Sequence, residues 1–338
     1  MHPNVSITIP SRNEEKYIEK CINSIVNSNY PQDKIKIFVC DGLSTDNTRK
    51  IVSKLSNKHS NIELIDNEKQ TTPFALNLGL KASNCAIKII LGAHAEIDKD
   101  FIKNNVSVLN DYPEVGCAGG IIQNVYENES SETIGLAMSS SFGVGNAHFR
   151  TGNKNGFVDT VAFGAYRKEV FEKIGYFDED LIRNQDDEFN FRLLKNGFKI
   201  YLNSNIISKY YVRASFSKLY KQYYQYGYWK VYVNKKHKAV TSIRQLVPLF
   251  FVLFLFTGLT LAIFHWFLAA LFSAGVASYI TLSLVFATKK ASSIEKIMGI
   301  AYTFFLLHFS YGLGYLVGIF DFIALNKTPR NSSQKLTR

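Results

Sequence analysis

Apolar positions along the N-terminal part of the chain alternate between two periods. Residues 5–9 are a short β-branched run that stops at Pro10, the pattern of a buried strand whose carboxyl end meets a loop. Residues 14–28 then place Tyr17, Ile18, Cys21, Ile22 and Ile25 at helical spacing. A second strand over 35–40 runs into Asp41-Gly42 and a Ser44-Thr45-Asp46-Asn47 turn rich in N-cap residues; the helix after it carries Ile51, Val52 and Leu55 on one face. The alternation continues with a strand over 62–65, a helix over 73–82, a strand over 86–91 that leads into Gly92-Ala93-His94, and a strand over 115–122. This order predicts an α/β fold with a mostly parallel sheet covered on both faces, and ligands at the carboxyl ends of its strands.

Residues 127–154 are rich in Ser, Gly and Asn without a clear period, and are read as a mobile region bordering the site. A strand over 157–163, a helix over 168–174 stopped by Gly175 and a helix over 186–195 stopped by Gly197 follow. Beyond residue 245 the pattern loses its polar half. Residues 246–264 and 266–288 are apolar stretches separated by a turn at His265, each long enough to cross a hydrocarbon core of ~30 Å. Lys289, Lys290 and Lys296 mark a return to the basic side, and a third apolar stretch covers 298–322. Three crossings would put Lys327, Arg330, Lys335 and Arg338 on the far side, against the charge rule. Either the third segment is re-entrant or interfacial, or the rule fails for a short tail. Three membrane segments are expected, with the side of the tail left open.

Charge sharpens this picture. Of the 338 residues, 39 are Lys or Arg and 28 are Asp or Glu, a net charge of +11. Lys209, Arg213, Lys218, Lys221, Lys230, Lys235, Lys236, Lys238 and Arg244 gather just before the first apolar run, where a cytoplasmic juxtamembrane segment is basic. The excess therefore points to membrane lipids, and no recognisable module points to nucleic acid. The four cysteines, Cys21, Cys40, Cys85 and Cys117, are widely spaced and read as small hydrophobes of a reducing compartment. Pro10 and Ser11 interrupt the N-terminal apolar run, so a secretory signal is not expected.

Two polar loops follow the first two strands: Pro10-Ser11-Arg12-Asn13-Glu14-Glu15 and Val39-Cys40-Asp41-Gly42-Leu43-Ser44-Thr45-Asp46-Asn47-Thr48. Their polar groups converge on one sheet edge, where Asp41 can accept hydrogen bonds from a base or ribose, while Ser44 and Asp46 also suit plain turn and capping chemistry. The pair resembles the opening of family 2 glycosyltransferases, which have the GT-A fold and a comparable V-x-D-G-x-S-T-D-x-T turn. Residues 73–80, with Asn77 and Gly79, resemble that family's Asn-x-Gly helix, and the likeness runs to about Trp229. The succinoglycan-biosynthesis type, with its C-terminal membrane helices, is the nearest in character.

The resemblance implies a Rossmann-like GT-A domain over 1–205, basic and aromatic connector helices over 206–245, a membrane domain over 246–322 and a basic tail over 323–338. It implies a nucleotide-diphospho-sugar donor bound by Pro10, Ser11, Glu14, Asp41 and Asn77. Where family members place a metal-holding Asp-x-Asp, this chain has Gly92-Ala93-His94, so His94 is the aligned ligand for Mg2+ or Mn2+ and Glu96 a further candidate. The Asn184-Gln185-Asp186-Asp187-Glu188 segment resembles the family's Glu-Asp motif, with Asp186 aligned with the general base; Asp187 or Glu188 takes that place if the alignment slips. Three acids at a helix start also suit its dipole. Gln225, Tyr228 and Trp229 match a Gln-x-x-Arg-Trp helix that meets the diphosphate and acceptor, with Tyr in place of Arg; the same segment reads equally as an aromatic helix at a membrane surface.

The implied activity is an inverting transfer onto a lipid-linked or polysaccharide acceptor at the cytoplasmic face of the cell membrane, by a multi-pass protein of exopolysaccharide, capsule or O-antigen assembly. Two rivals stand beside it: a catalytically silent GT-A scaffold, suggested by Gly92, Gln185 and Tyr228, and a nucleotidyltransferase on the same sheet.

Overall fold

The computed structural model describes residues 2–152, 154–212, 215–241 and 243–329, so Arg213, Arg330, Lys335 and Arg338 lie outside the described residues. The chain divides into two compact units. One comprises Met1–Val125 and His148–Tyr211, the other Tyr126–Ala147 and Val212–Arg338.

The first unit opens with β1 (Val5–Ser11), α1 (Ile18–Val26), β2 (Ile35–Asp41), α2 (Thr48–Lys58), β3 (Ile62–Asp66), α3 (Thr72–Ala82) and β4 (Ile87–Ile90). β5 (Ala95–Ile97), α4 (Phe101–Asp111) and β6 (Val115–Val125) follow. After α5 (Glu129–Met138) and α6 (Ser141–Val144) of the second unit, the chain returns through α7 (His148–Thr151), β7 (Gly156–Val158), β8 (Ala162–Arg167), α8 (Lys168–Ile174), α9 (Gln185–Lys195) and β9 (Lys199–Tyr211). The sheet runs β3-β2-β1-β4-β8-β6-β9-β5, with β7 also on β9. β3, β2, β1 and β4 are parallel, β8 is antiparallel between β4 and β6, and β6 and β9 are parallel again.

The periodicities predicted for this half hold because both faces of the sheet are covered. α1 buries Ile18, Cys21, Ile22 and Ile25, and β1 buries Thr8 as fully as Ile7. α3 lies so close to β1 that a Cβ on Gly79 would meet Thr8 Cγ2 at 2.5 Å, so only glycine permits this packing. Lys88 of β4 is buried, and its Nζ closes the end of α3 by donating to the Leu80 and Ser83 carbonyls at 2.6 and 2.8 Å; burial pushes its pKa down. Cys21, Cys40 and Cys117 are buried, and burial pushes the Cys40 thiol up to about 12. Cys85 is half-buried.

Three expectations need correction. Residues 127–154 are not an unstructured border: they hold α5, α6 and α7, and α5 begins with a capping box in which Asn128 Oδ1 accepts from Ser131 N at 2.8 Å while Ser131 Oγ accepts from Asn128 N at 3.0 Å. Serine at the third position, in place of Glu or Gln, and a high share of small residues hid that start. The strand expected over 157–163 is two, β7 and β8, because the backbone turns between them to pair with different neighbours. The stretch expected as helices from 206 onward starts inside β9, which runs to Tyr211.

The second unit contains α5, α6, α10 (Phe216–His237), α11 (Val247–Ala262), α12 (Trp266–Thr288) and α13 (Ile294–Gly318), the last continued by a π-helical turn over Ile319–Ala324. The helical segments Ile243–Ala262, Trp266–Thr288 and Ile294–Ala324 are long and apolar enough to cross a membrane. They differ in covering: across an apolar stretch of 18 residues in each, 11% and 6% of the first two are buried, against 50% of the third. α10 packs along α13 through small residues, since a Cβ on Gly227 would overlap the Tyr311 carbonyl and one on Gly314 would overlap that of Tyr224.

Candidate functional site

β1 and β2 end in register, with Ser11 beside Asp41, and β3 ends beside them with Asp66 paired to Asp41. The sheet therefore delivers three polar residues to one carboxyl edge. Asp41 is fully buried, and both its oxygens are engaged: Oδ1 accepts from Ser11 Oγ at 3.3 Å and Ser44 Oγ at 2.5 Å, Oδ2 from Ser44 N at 2.9 Å and Arg49 Nη1 at 3.0 Å. Arg49 also reaches Asp66 Oδ1 at 2.8 Å, and the two carboxylates raise its pKa. A buried charge needs such pairing.

The loops after β1 and β2 are zipped together. Asn13 adopts φ +54° and Leu43 φ +54°, turning both backbones so that Asn13 N donates to Ser44 Oγ at 2.8 Å and Thr45 N to Asn13 Oδ1 at 2.8 Å. Glu14 N donates to Thr48 Oγ1 at 2.8 Å, Glu15 N to Asp46 Oδ2 at 3.1 Å, and Asn47 N to Glu15 Oε2 at 2.9 Å. Ser44 and Asp46 thus do turn and capping work. Partial burial pulls the Asp46 carboxyl up, but hydrogen bonds from Thr48 and from backbone amides outweigh it and hold the pKa below 3.8. A depressed carboxylate contributes stability above its unfolded pKa and loses it as pH falls through the lower folded value. Between about pH 5 and pH 2, Asp46→Asn is therefore expected to flatten the acid limb of a plot of melting temperature against pH.

β4 leads into Gly92 and His94, and Leu91 N donates to Thr8 O at 3.0 Å, which brings this turn beside the β1 loop. His94 Nδ1 lies 3.8 Å from Glu14 Oε1, and its ring meets Tyr210 edge-on with centroids 5.2 Å apart. Phe163, with φ +49°, presses on the same turn: a Cβ on Gly92 would lie 3.2 Å from Phe163 Cε1 and 3.4 Å from His94 Cε1. That crowding opposes an aspartate at Gly92 unless both rings shift. Glu96, the other metal candidate, accepts from the Tyr211 hydroxyl. Among the described residues no three His, Cys, Asp or Glu side chains group closely enough to hold a metal ion. His94 and Glu14 are thus a two-donor start that suits a cation only when diphosphate and water complete its shell.

α9 sorts the three acids at its start. Glu188 is buried and locked to Arg192, whose Nε reaches Oε1 at 2.6 Å and Nη2 reaches Oε2 at 2.9 Å. Asp187 is half-buried, and Asp186 is exposed. Asn184 adopts φ +61°, turning the chain abruptly into the helix. Phe189 packs edge-on against Tyr166 of β8, seating α9 on the sheet. The Tyr166 phenol is pushed up by burial first, and also by Cys117 and the negative charge of Asp186. Gln185 Oε1 is buried with no hydrogen-bond partner.

Asn77 does not face open solvent. It donates to Phe177 O at 2.9 Å and Glu179 Oε1 at 2.8 Å and accepts from Phe177 N at 3.0 Å, holding the segment that precedes α9. Gln225, Tyr228 and Trp229 belong to the second unit, where all three are buried; Tyr228 donates to Asp321 Oδ2 at 3.0 Å and packs on Phe322. Pro10, Ser11, Glu14, Asp41, His94 and Asp186 belong to the first. Sequence reasoning missed Arg49, Asp66, Phe163 and Arg192. Pairing across elements gives Arg49, Asp66 and Phe163 their meaning, whereas the i,i+4 spacing of Glu188 and Arg192 was a local signal that could have found Arg192.

The family model described as Glycosyl transferase family 2 matches residues 6–175. Dolichyl N-acetyl-alpha-D-glucosaminyl phosphate 3-beta-D-2,3-diacetamido-2,3-dideoxy-beta-D-glucuronosyltransferase of Methanococcus voltae is 40% identical over 230 residues, covering 66% of this chain and 71% of that protein. Succinoglycan biosynthesis protein ExoA of Rhizobium meliloti is 28% identical over 264 residues, covering 77% and 78%. Among solved structures, mannosyltransferase PcManGT from Pyrobaculum calidifontis, in complex with GDP-Man and Mn2+, superposes with a TM-score of 0.62 at 16% identity, covering 94% of this chain and 88% of that one. Residues 1-349 of S. aureus TarS in complex with UDP-GlcNAc superpose with a TM-score of 0.53 at 16% identity, covering 97% and 93%. The structural likeness shows a shared GT-A fold.

Proposed function

The chain belongs to glycosyl transferase family 2, and from that premise we propose that it carries out an inverting transfer from a nucleotide-diphospho-sugar to a lipid-linked or polysaccharide acceptor at the cytoplasmic face of the membrane. The observation that carries the mechanism is the sorting of the acids at the start of α9: Glu188 is neutralised by Arg192, leaving Asp186 as the exposed carboxylate. In this reading an acceptor hydroxyl attacks the anomeric carbon opposite the departing diphosphate. Asp186 takes the hydroxyl proton as the new glycosidic bond forms, and the electron pair of the broken bond leaves on the nucleoside diphosphate. Asp187 flanks it, and the unpartnered Gln185 Oε1 accepts from a sugar hydroxyl.

The donor nucleotide lies over the zipped loops, held by Pro10, Ser11, Glu14 and Asp41. Arg49 Nη1 fixes the Asp41 carboxylate in place by donating to Oδ2 at 3.0 Å. Asn77 serves by fixing the segment before α9, and Gln225, Tyr228 and Trp229 by anchoring α10 in the membrane unit. The lipid-linked acceptor is suggested by the name of the Methanococcus voltae relative, and polysaccharide assembly by that of ExoA.

His94 and Glu14 would hold a divalent cation, which when bound offsets the charge developing on the leaving diphosphate. With no group of three such donors among the described residues, Mn2+ alone is expected to bind too weakly for calorimetry to register, and the nucleoside diphosphate is expected to create a measurable site. His94→Ala should abolish that nucleotide-dependent binding. Tight binding of Mn2+ without nucleotide would remove this account of the site.

The function is tested by screening purified protein for stabilisation by UDP-, GDP- and dTDP-sugars, then for transfer from whichever donor raises its melting temperature. Transfer with inversion at the anomeric carbon supports the proposal. Donor binding with no turnover across acceptors and cations would overturn it.

A further inference from the structure

We propose that α13 does not cross the bilayer but lies along its surface, so that the described residues pass through the membrane by the α11–α12 hairpin alone and Lys327 stands on the side from which α11 entered. The inference rests on packing inside the second unit and does not depend on the transfer chemistry.

Both feet of the hairpin meet one short segment. Arg244, just before α11, donates to the Asn146 carbonyl at 3.3 Å, and Lys290, just after α12, donates to that of Ser139 at 3.1 Å. Ser139 and Asn146 flank α6, so the two basic feet sit at one level, as a helical hairpin that crosses and returns requires.

The course of α13 relative to that hairpin is the deciding geometry. A third spanning helix would run back beside α12, and Gly312, eighteen residues after Ile294 and therefore about 27 Å along the axis, would stand level with the turn at His265. Gly312 instead seats against the foot of α11: a Cβ there would overlap the carbonyl of Pro248, the second residue of that helix, and meet Val252 Cγ2 at 2.6 Å. Phe305 and His308 face Phe251, and Phe309 faces Phe256. α13 thus meets the hairpin between its feet and the level of Phe256 and Tyr279, whose hydroxyl lies 2.8 Å from His308 Nδ1; both are about 14 Å from the feet, so α13 crosses the lower half of the hairpin rather than running alongside its length.

The covering of α13 agrees. Its N-terminal part is held by α5 and α6: Lys296 pairs with Glu132 at 2.8 Å, and His308 Nε2 lies 2.8 Å from the Phe142 carbonyl. Its C-terminal part is held by α10: Asn234 donates to the Tyr315 hydroxyl at 2.8 Å, and Lys235 to the Phe322 carbonyl at 2.7 Å. α10 also carries the exposed Lys218, Lys221 and Lys236. A charge at the centre of the bilayer costs about 2.5–3.5 kcal/mol even on an insertion scale. A helix flanked end to end by such partners therefore belongs at the surface. Its opposite face leaves Met298, Tyr302, Phe305, Phe320 and Ile323 exposed, an apolar and aromatic stripe suited to the boundary between headgroups and acyl chains. Two crossings also keep Lys327 on the side of Lys289 and Lys290, which removes the conflict with the charge rule.

Single cysteines introduced as H265C, K289C and K327C test the proposal in the full chain in sealed cells, with a membrane-impermeant maleimide added before or after permeabilisation and the chain without an added cysteine as background. H265C is expected to label from one side, and K289C and K327C only from the other. Labelling of K327C together with H265C, opposite K289C, would show that α13 crosses and overturn the proposal. So would labelling of H265C and K289C from the same side, because the hairpin would not cross. Reversal of all three sides upholds two crossings and overturns only the cytoplasmic placement of the catalytic unit. A spin label at Phe309 gives an independent depth: shallow supports a surface helix, and the bilayer centre contradicts it.

Discussion

Asp186→Asn is expected to leave donor binding intact and to reduce the transfer rate by about 10²–10⁴-fold, the usual share of a positioned general base. Asn preserves the volume and the helix start but cannot take a proton at neutral pH. Asp186 is exposed and its replacement by Asn keeps the side-chain volume, so the melting temperature and the donor-induced shift should stay near those of the wild type. The effect should appear in kcat, with little change in donor KM, because a base acts only once acceptor and donor are both in place. Asp187→Asn supplies the control: if it abolishes turnover while Asp186→Asn does not, the base is Asp187. If neither does, the carboxylate mechanism fails.

Arg192→Met should have the largest effect on stability. Glu188 is almost wholly buried, and Arg192 is its bidentate partner. The same guanidinium donates to the carbonyls of Ile174 at 2.5 Å and Tyr176 at 2.7 Å, tying the segment before α9 to the helix. Removing it leaves a carboxylate in the interior without its counter-charge, which costs about 3–5 kcal/mol and lowers the melting temperature by on the order of 10 °C. The double variant E188L/R192M removes the charge together with its partner and should recover much of that loss, as apolar replacement of a buried pair often does. Thermal melting of the wild type, R192M, E188L and E188L/R192M in the same detergent measures both. Full additivity of the two substitutions would show that the pair is not coupled.

Much of the first unit was legible because its signals are local. β1, β2 and the helices after them announce themselves through runs and spacings a few residues long, and Gly175 and Gly197 close their helices with positive φ as expected. The motif loops were legible for the same reason: their residues are contiguous and sit directly after strands. β5, α4 and β9 were not foreseen. β5 is three residues long, and β9 alternates in burial across a polar, aromatic stretch that ran on into what looked like a connector. The capping box of α5 uses Ser where the sequence signature asks for Glu or Gln.

The choice among Asp186, Asp187 and Glu188 shows where sequence stops. The helix dipole treats three adjacent acids at its start alike, and the i,i+4 spacing that pairs Glu188 with Arg192 sets one of them aside. Which of the other two is exposed depends on how α9 sits on the sheet. Asn77 is a similar case. Its motif named it, but a hydrogen-bonded clamp on Phe177, a hundred residues away in sequence, decides what its amide does.

What the sequence determined by itself is the class of the chain: a mainly parallel α/β unit, polar loops at the carboxyl ends of its strands, and three apolar segments long enough for a membrane. These follow from periodicity, from contiguous motifs and from length, all of which are written along one dimension. Tertiary structure decided what depends on partners distant in the chain: that the buried Asp41 is paired with Arg49, that His94 stands by Glu14, and that α13 is covered on one face where α11 and α12 are not. Apolar length measures only whether a helix can cross a bilayer. What packs against its faces determines where it lies, and those neighbours, α5, α6 and α10, come from parts of the chain far from it in sequence.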